Sequence, residues 1–522
     1  MDVVRTDVAI IGGGLGAVAA ALAAARMGRR VVLTEETRWL GGQLTNQAVP
    51  PDEHPWIEDF GANRSYRALR EGIRQYYRRN MPLTAQARSL STLNPGNGWV
   101  SRLCHDPRIA VAVLHEMIVP YRLNGNLTVL RFHRPISAWT QGDRVTGVVV
   151  RGLESGRDLL VEADLFVDAT PHGELLALAG VEHVLGQEPR AETGEPHAAE
   201  AANPRAQQAI TVCFAMEHLP GEDHTIDKPR RYDFWRDHAP PGWPGRLLDW
   251  TTVRPETREP LTRGLFASDD GRPWWTFRRI LDKSVFEDGF ARSDVTIVNW
   301  PQNDYWLGPV CGVDVSEAAR NEDAARQLSL SLLYWLQTEA PRPDGGIGYR
   351  GMRLRGDVVG GTPDGLAPAP YIRESRRIRA EFTVLEQHIA HPLRPDGPAI
   401  FDDSVGIGCY RIDLHPRVGG EGYLDLGCWP FQIPLGSLLP VRVENLLPGG
   451  KNLGTTHITN GAFRVHPVEW GVGEAAGLLA AFCIERRVPP RGVRARRSLL
   501  EEFQALLLRQ GVELSWPKLS PL

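Results

Sequence analysis

The chain opens on an apolar run, Val8-Ala9-Ile10-Ile11, which predicts a strand over 7–11. Glycines at 12–14 break it. The Ala-rich stretch 17–25 then predicts a helix over 15–27, stopped at Gly28, ahead of a second apolar run at 31–35. Further helices are predicted over 65–79, entered at Ser65, and over 107–119, with Asp106 as cap and Pro107 in the first position. Strand-like stretches follow at 127–132, 144–151 and 158–168, the last two separated by the hairpin signal Glu154-Ser155-Gly156, and a short helix at 173–179. From about 185 to 312 the periodicity fades, and seven of the fifteen tryptophans fall between 235 and 306. Helices return at 315–339 and 374–390, and the chain finishes with a long helix at 468–487 and an amphipathic one at 498–509.

At 522 residues the chain exceeds the roughly 250–300 at which single cores stop growing, so two domains are expected. A net charge of -4 gives no electrostatic case for nucleic acid or an anionic membrane as partner. No apolar run approaches the roughly 18 residues of a membrane helix, and no basic segment precedes an apolar core as in a signal peptide. Cys104, Cys213, Cys311, Cys409, Cys428 and Cys483 are scattered without a CxxC pair, which argues against a zinc site, an iron–sulfur cluster or a dithiol couple. No metal site is expected, and the location expected is cytoplasmic.

The chemistry begins in the glycine turn. In Gly12-Gly13-Gly14-Leu15-Gly16-Ala17, Gly12 permits the tight turn, Gly14 leaves room for a pyrophosphate, and small Ala17 lets helix and strand pack closely. A helix N-terminus carries roughly half a positive charge and free N–H groups, which suits a diphosphate. Glu35 ends the second strand, where a carboxylate can accept from an adenosine ribose, with Glu36 in reserve. A second GxGxxG, from Gly346 to Gly351, follows Pro341-Arg342-Pro343-Asp344 rather than a strand and reads as a loop.

Other segments carry a resemblance: Leu40-Gly41-Gly42-Gln43-Leu44-Thr45, Leu165-Phe166-Val167-Asp168-Ala169-Thr170, Tyr371 to Arg377, Ile433-Pro434-Leu435 and Gly473-Glu474-Ala475-Ala476-Gly477. With the glycine turn, they resemble the glutathione-reductase-type two-dinucleotide-binding flavoproteins. The likeness is greatest to the FAD-dependent oxidoreductases related to fumarate-reductase and heterodisulfide-reductase flavoproteins. The resemblance implies an α/β fold: a discontinuous Rossmann-like FAD-binding domain from 1–60, 105–185 and 436–490, and an inserted α+β substrate or cap domain from 61–104 and 186–435. Residues 491–522 would form a C-terminal helix and tail. It implies FAD as cofactor, with Gly42 and Gln43 along its adenosine and ribityl portions and Asp168, Ala169 and Thr170 closing the strand beside it. The chain departs from the pattern after Thr170, where Pro171-His172-Gly173 stands in place of Gly-Asp-Gly. A second dinucleotide fingerprint is absent, so electrons are expected from the substrate itself.

Around the last long helix, Gly450 is small enough for close approach to the cofactor, and Pro467 and Glu469 suit the helix start. Gly473 and Glu474 belong to the implied cofactor set, Glu474 partly opposing the helix dipole. His457, placed in the loop before this helix, and Arg464 and His466 beside its start are catalytic candidates, as is His415 from the cap side. A histidine there can take a proton as hydride leaves; capping or a polar core is the plainer role for each. Arg373, Arg376 and Arg377, spaced along the predicted 374–390 helix, could clamp a carboxylate or sit in salt bridges at the surface. The expected reaction is hydride removal from a C–H bond beside O or N of a small polar substrate, possibly sugar-like if the tryptophans form a stacking wall, with oxygen or a carrier as electron acceptor. The alternatives are reduction of an activated C=C bond, an electron-transfer subunit, or a flavin with no catalytic role.

Overall fold

The computed structural model describes residues 1–420 and 423–522. The apolar run at 7–11 is the inner end of β1 (Asp2–Ile11), the centre of a seven-stranded sheet. Its path with β2 (Val31–Glu35), β3 (Leu127–Arg131), β4 (His133–Gln141), β5 (Arg144–Gly152) and β6 (Asp158–Asp168) runs β3-β2-β1-β6-β5-β4. β3, β2, β1 and β6 are mutually parallel, and β5 and β4 add antiparallel. β6 forks, pairing β5 with its first half and, at 166–168, the strand Leu446–Pro448 in parallel. A Rossmann-type sheet is thus assembled from segments at both ends of the chain.

The helices that position the site are α1 (Leu15–Arg26), α2 (Arg64–Asn80), α3 (Pro107–Leu123), α4 (Val315–Thr338), α5 (His457–Phe463), α6 (His466–Arg486) and α7 (Arg497–Gln510). α1 is buried all round from Leu15 to Ala25, because the sheet covers one face and α6 the other. Contact with α6 is backbone to backbone: a Cβ on Gly473 would lie 2.0 Å from the Gly16 oxygen, and one on Gly477 2.3 Å from the Ala20 oxygen. α6 does reach the length and apolarity of a membrane-crossing helix, contrary to the expectation from the sequence, but 89% of that window is buried inside the protein.

Beyond the sheet, a four-stranded antiparallel sheet (order 279–281, 295–298, 214–218, 352–354) packs with α4 around a second core. Trp235, Trp250, Trp274, Trp275, Trp300 and Trp306 fill that core, so most of the tryptophan-rich stretch packs the cap rather than walling a ligand. The hydrophobic cores also cross the boundaries drawn from the sequence. α2, from the stretch 61–104, shares the core of α1 and α6, as do Val384 to Leu439 in part.

The helix predicted over 374–390 does not form: only Glu386–Ile389 is helical, and Arg377–Ile378 is a strand pairing His183–Val184. Several of its charged residues, Glu374, Arg377 and Glu386, are buried, whereas Arg379 and Glu381 stay exposed. Arg373 and Arg377 are among the largest fully buried side chains, held by Asp304, Glu188 and Glu374 instead of water. The six cysteines are buried and unpaired.

Candidate functional site

A cleft opens across the C-terminal ends of β1, β2 and β6. Its floor is the glycine turn. Gly12 adopts φ +96, and a Cβ there would strike the Ala169 oxygen at 2.4 Å, so only glycine fits. Gly14 lines the cleft as the N-cap of α1 and offers no capping side chain; of the first-turn N–H groups, that of Gly16 is taken by Glu469 Oε1 at 3.2 Å. Gly13, Gly42, Ala169, Thr170 and Gly450 also line it. Leu15, Gly16 and Ala17 lie beneath, fully buried, and serve the packing of α1.

Glu35 stands at one end of the cleft, where its Oε1 accepts from Thr37 N at 2.6 Å and from Asn46 Nδ2 at 3.4 Å. Burial pushes its carboxyl up against the pull of those bonds. Neighbouring Glu36 is pushed up to about 7 by burial, with Glu174 and Glu35 adding to it. Asp168 does not face the cleft. Its Oδ1 accepts from Thr170 N (3.0 Å) and Oγ1 (2.6 Å) and its Oδ2 from Leu176 N (3.0 Å), so this buried carboxyl shapes the turn that presents Ala169 and Thr170. Gly473 and Glu474 are also away from the cleft. Gly473 makes the helix contact described above, and Glu474 ties Arg26 (2.9 Å), Asn63 (2.8 Å) and Ser65 (2.6 Å) together behind α1. Its charge is thereby spent far from the helix start.

The cleft also contains Lys451, Glu469 and His172, which lay outside the cofactor set drawn from the sequence. Lys451 is buried, donates its Nζ to the Ile372 oxygen at 2.5 Å, and has its ammonium pKa lowered by burial, with Glu469 opposing. Glu469 accepts from Gly16 N at 3.2 Å and from Gln43 Nε2. His172, from the departing Pro-His-Gly turn, lines the cleft with its Nδ1 unpartnered. Buried amide oxygens of Gln43, Asn46 and Gln47 along the same wall are unpartnered too. A bare glycine cradle at a helix start, a carboxylate at one end and unsatisfied polar atoms between them fit a long dinucleotide.

At the Gln43 end a charged network leads into the cap. Arg464, closing α5, takes Gln43 Nε2 on its backbone oxygen (3.1 Å) and donates to the Tyr371 hydroxyl (2.8 Å) and to Asp413 Oδ2 (2.8 Å). Burial pushes the Asp413 carboxyl up, but His415 and Arg464 outweigh it and hold it below the usual carboxylate range. His415 Nδ1 lies 2.6 Å from Asp304 Oδ2, its Nε2 3.6 Å from Asp413, and its side chain is 20% exposed. His457 differs from the expectation in being the first residue of α5 rather than in a loop, with Nδ1 2.9 Å from the buried Glu374. His466 spends both ring nitrogens on backbone, accepting from Asp52 N (3.0 Å) and donating to the Val49 oxygen (3.2 Å). Burial lowers its pKa to about 4, so it is neutral and structural, contrary to a catalytic role. The structure therefore brings Arg464 and His415 into one network and leaves His466 outside it.

The sequence matches the profile of the FAD dependent oxidoreductase family over residues 7–507. The chain belongs to this family. Its members' cofactor is the dinucleotide that the cleft fits, so the protein is an FAD-dependent oxidoreductase. No curated protein sequence matches it. Among solved structures, E. coli quinol fumarate reductase FrdA aligns at 11% identity and TM-score 0.34, over 98% of this chain and 74% of that one. A geranylgeranyl bacteriochlorophyll reductase-like protein from Thermoplasma acidophilum aligns at 10% and 0.33, over 98% and 85%. L-proline dehydrogenase from P. horikoshii aligns at 18% and 0.19, over 36% of this chain and 24% of that chain's length. These likenesses add nothing to the family match, and none bears on the substrate of the oxidoreductase.

Proposed function

We propose that the oxidoreductase removes a hydride from a C–H bond beside O or N of a small polar substrate held between the Gln43 end of the cleft and the cap. Bound FAD supplies the two-electron acceptor. Gly12 to Gly14 and the first turn of α1 receive its diphosphate, and Glu35 its ribose. Glu36, Gly42, Gln43, Ala169, Thr170 and Gly450 would complete the lining, with Lys451 available to balance phosphate charge. Asp168 acts through the turn that it holds.

One observation carries the reading: the His415–Asp304 pair, partly open to solvent, sits in a network that reaches the cleft wall through Asp413 and Arg464. Hydride loss from an alcohol or amine requires loss of a proton, and an imidazole is the side chain suited to take it. Asp304 fixes the ring through Nδ1, and Arg464 orients Asp413. His457 lies deeper, 4% exposed and tied to Glu374, and is a weaker route for a proton to leave. The proposal leaves the sugar-like substrate aside, since the tryptophans are largely consumed in packing. The final acceptor is oxygen or a carrier. Anaerobic mixing of the FAD-loaded protein with alcohols and amines tests the reading: bleaching of the oxidised flavin supports it, whereas reoxidation of reduced protein by an enoate, without any such bleaching, supports C=C reduction instead.

A further inference from the structure

Two guanidiniums from distant segments meet at one phenol, and a third lies near enough to act on its hydroxyl. Arg464 Nη1 lies 2.8 Å from the Tyr371 hydroxyl, and the Arg373 guanidinium stacks over the Tyr371 ring at 4.8 Å. Arg278 reaches the same neighbourhood through Asp52, 3.3 Å from its Nη1, and its charge acts on the same hydroxyl. Their exposures are 2%, 1% and 8% respectively, and in all three the Nε has no hydrogen-bond partner. Asn299, 3% exposed, accepts from Arg373 Nη2 at 3.3 Å while its own amide nitrogen is unpartnered.

Buried N–H groups are rarely left unpaired, because an unmet donor forfeits its hydration without compensation. Nε is also without a hydrogen-bond partner on Arg29, Arg263 and Arg491, whose side chains are 23%, 10% and 33% exposed; the group around Tyr371 differs in that Arg373 and Arg464, both 2% exposed, meet at one residue. A guanidinium nitrogen only donates, so the unmet need is for an acceptor. The nearby carboxylates do not meet it: Asp52 pairs with Arg278, Asp304 with Arg373 and His415, and Asp413 with Arg464 and His415. Three carboxylates balance three guanidiniums, so the demand for a further acceptor comes from the unpaired N–H groups rather than from an excess of charge. The Nε and Nη edge of arginine also matches a carboxylate in spacing.

We infer that the substrate carries a carboxylate received by Arg278, Arg373 and Arg464 beside Tyr371, which makes its class a 2-hydroxy or 2-amino acid. This rests on the proposed hydride removal at the same site. In such a molecule the reacting C–H adjoins the anchored carboxylate, and the hydroxyl or amine proton passes to His415 as the hydride leaves for FAD, so that the product is a 2-oxo or 2-imino acid.

The test uses unreactive probes on the full-length, FAD-loaded protein, so it does not depend on turnover. Propionate is expected to perturb the flavin spectrum saturably, and propionamide at least 50-fold more weakly. Arg278→Gln is expected to weaken propionate at least tenfold with FAD content unchanged, and Arg278→Lys to recover part of it. If the variants fail to fold, the acid-versus-amide comparison on the unaltered protein stands by itself. Equal affinity for acid and amide, or no perturbation by either, overturns the inference. The proposed reaction fails separately, if propionate binds but no hydroxy or amino acid bleaches the flavin.

Discussion

Replacing Gly473 by alanine tests how the fold builds the site, at a residue outside the cleft. The new Cβ would lie 2.0 Å from the Gly16 oxygen, 2.5 Å from its carbonyl carbon and 2.6 Å from its Cα. Ordinary contact begins near 3.4 Å, so α1 and α6 must part by more than 1 Å, and the obstacle is backbone that no rotamer change can clear. Overpacking of this kind costs about 1–3 kcal/mol and lies at the upper end here. The displaced element carries Gly14 and the helix start proposed to receive the diphosphate, and about 1.4 kcal/mol lost there is tenfold in affinity. The assay is a urea titration of the apoprotein together with an FAD titration followed by flavin fluorescence. Both the midpoint and the FAD affinity should fall, the latter at least tenfold. A variant with wild-type stability and wild-type FAD affinity would refute the argument that this contact sets the cradle.

Glu35→Ala removes charged hydrogen bonds worth roughly 1.5–3 kcal/mol each, so equilibrium dialysis should show FAD held about tenfold more weakly or worse. His415→Gln should slow anaerobic flavin reduction by about 10²–10⁴-fold while FAD affinity stays as it was; an unchanged rate removes His415 from the chemistry. His466→Asn probes linkage. The folded pKa of His466 is depressed to about 4, so the stability gained by keeping it neutral is full above 6.5 and is lost as pH falls towards 4. The stability gap between wild type and variant should narrow by about 3 kcal/mol across that window, read from urea midpoints at several pH values; a constant gap contradicts a buried neutral imidazole.

Legibility of the sequence followed the range of the interactions. Strand β1, α1 and β2 were readable because a continuous apolar run, an Ala-rich helix and a φ-permissive Gly12 are local signals. Strand β4 was not, since Pro135 interrupts it and most of its residues are half-exposed, which erases a period of two. Residues 374–390 read as a helix, yet Arg373 and Arg377 are buried against Asp304, Glu188 and Glu374, partners that local spacing does not reveal. Helix α5 has seven residues with a glycine among them, too few to show periodicity, although Thr456 caps it as expected of a threonine there. In the site the glycines were visible, whereas the Arg278, Tyr371 and Arg464 grouping required the folded chain. Lys451 carried a faint signal as one of only four lysines, set between Gly450 and Asn452.

The direct test of the account is anaerobic mixing of the FAD-loaded protein with a series of 2-hydroxy and 2-amino acids and their neutral amides. The account predicts that at least one acid bleaches the oxidised flavin, that its amide does not, and that the bleaching slows in the His415 variant. A flavin that stays oxidised with every member of the series, and whose reduced form is reoxidised by an enoate, would contradict it.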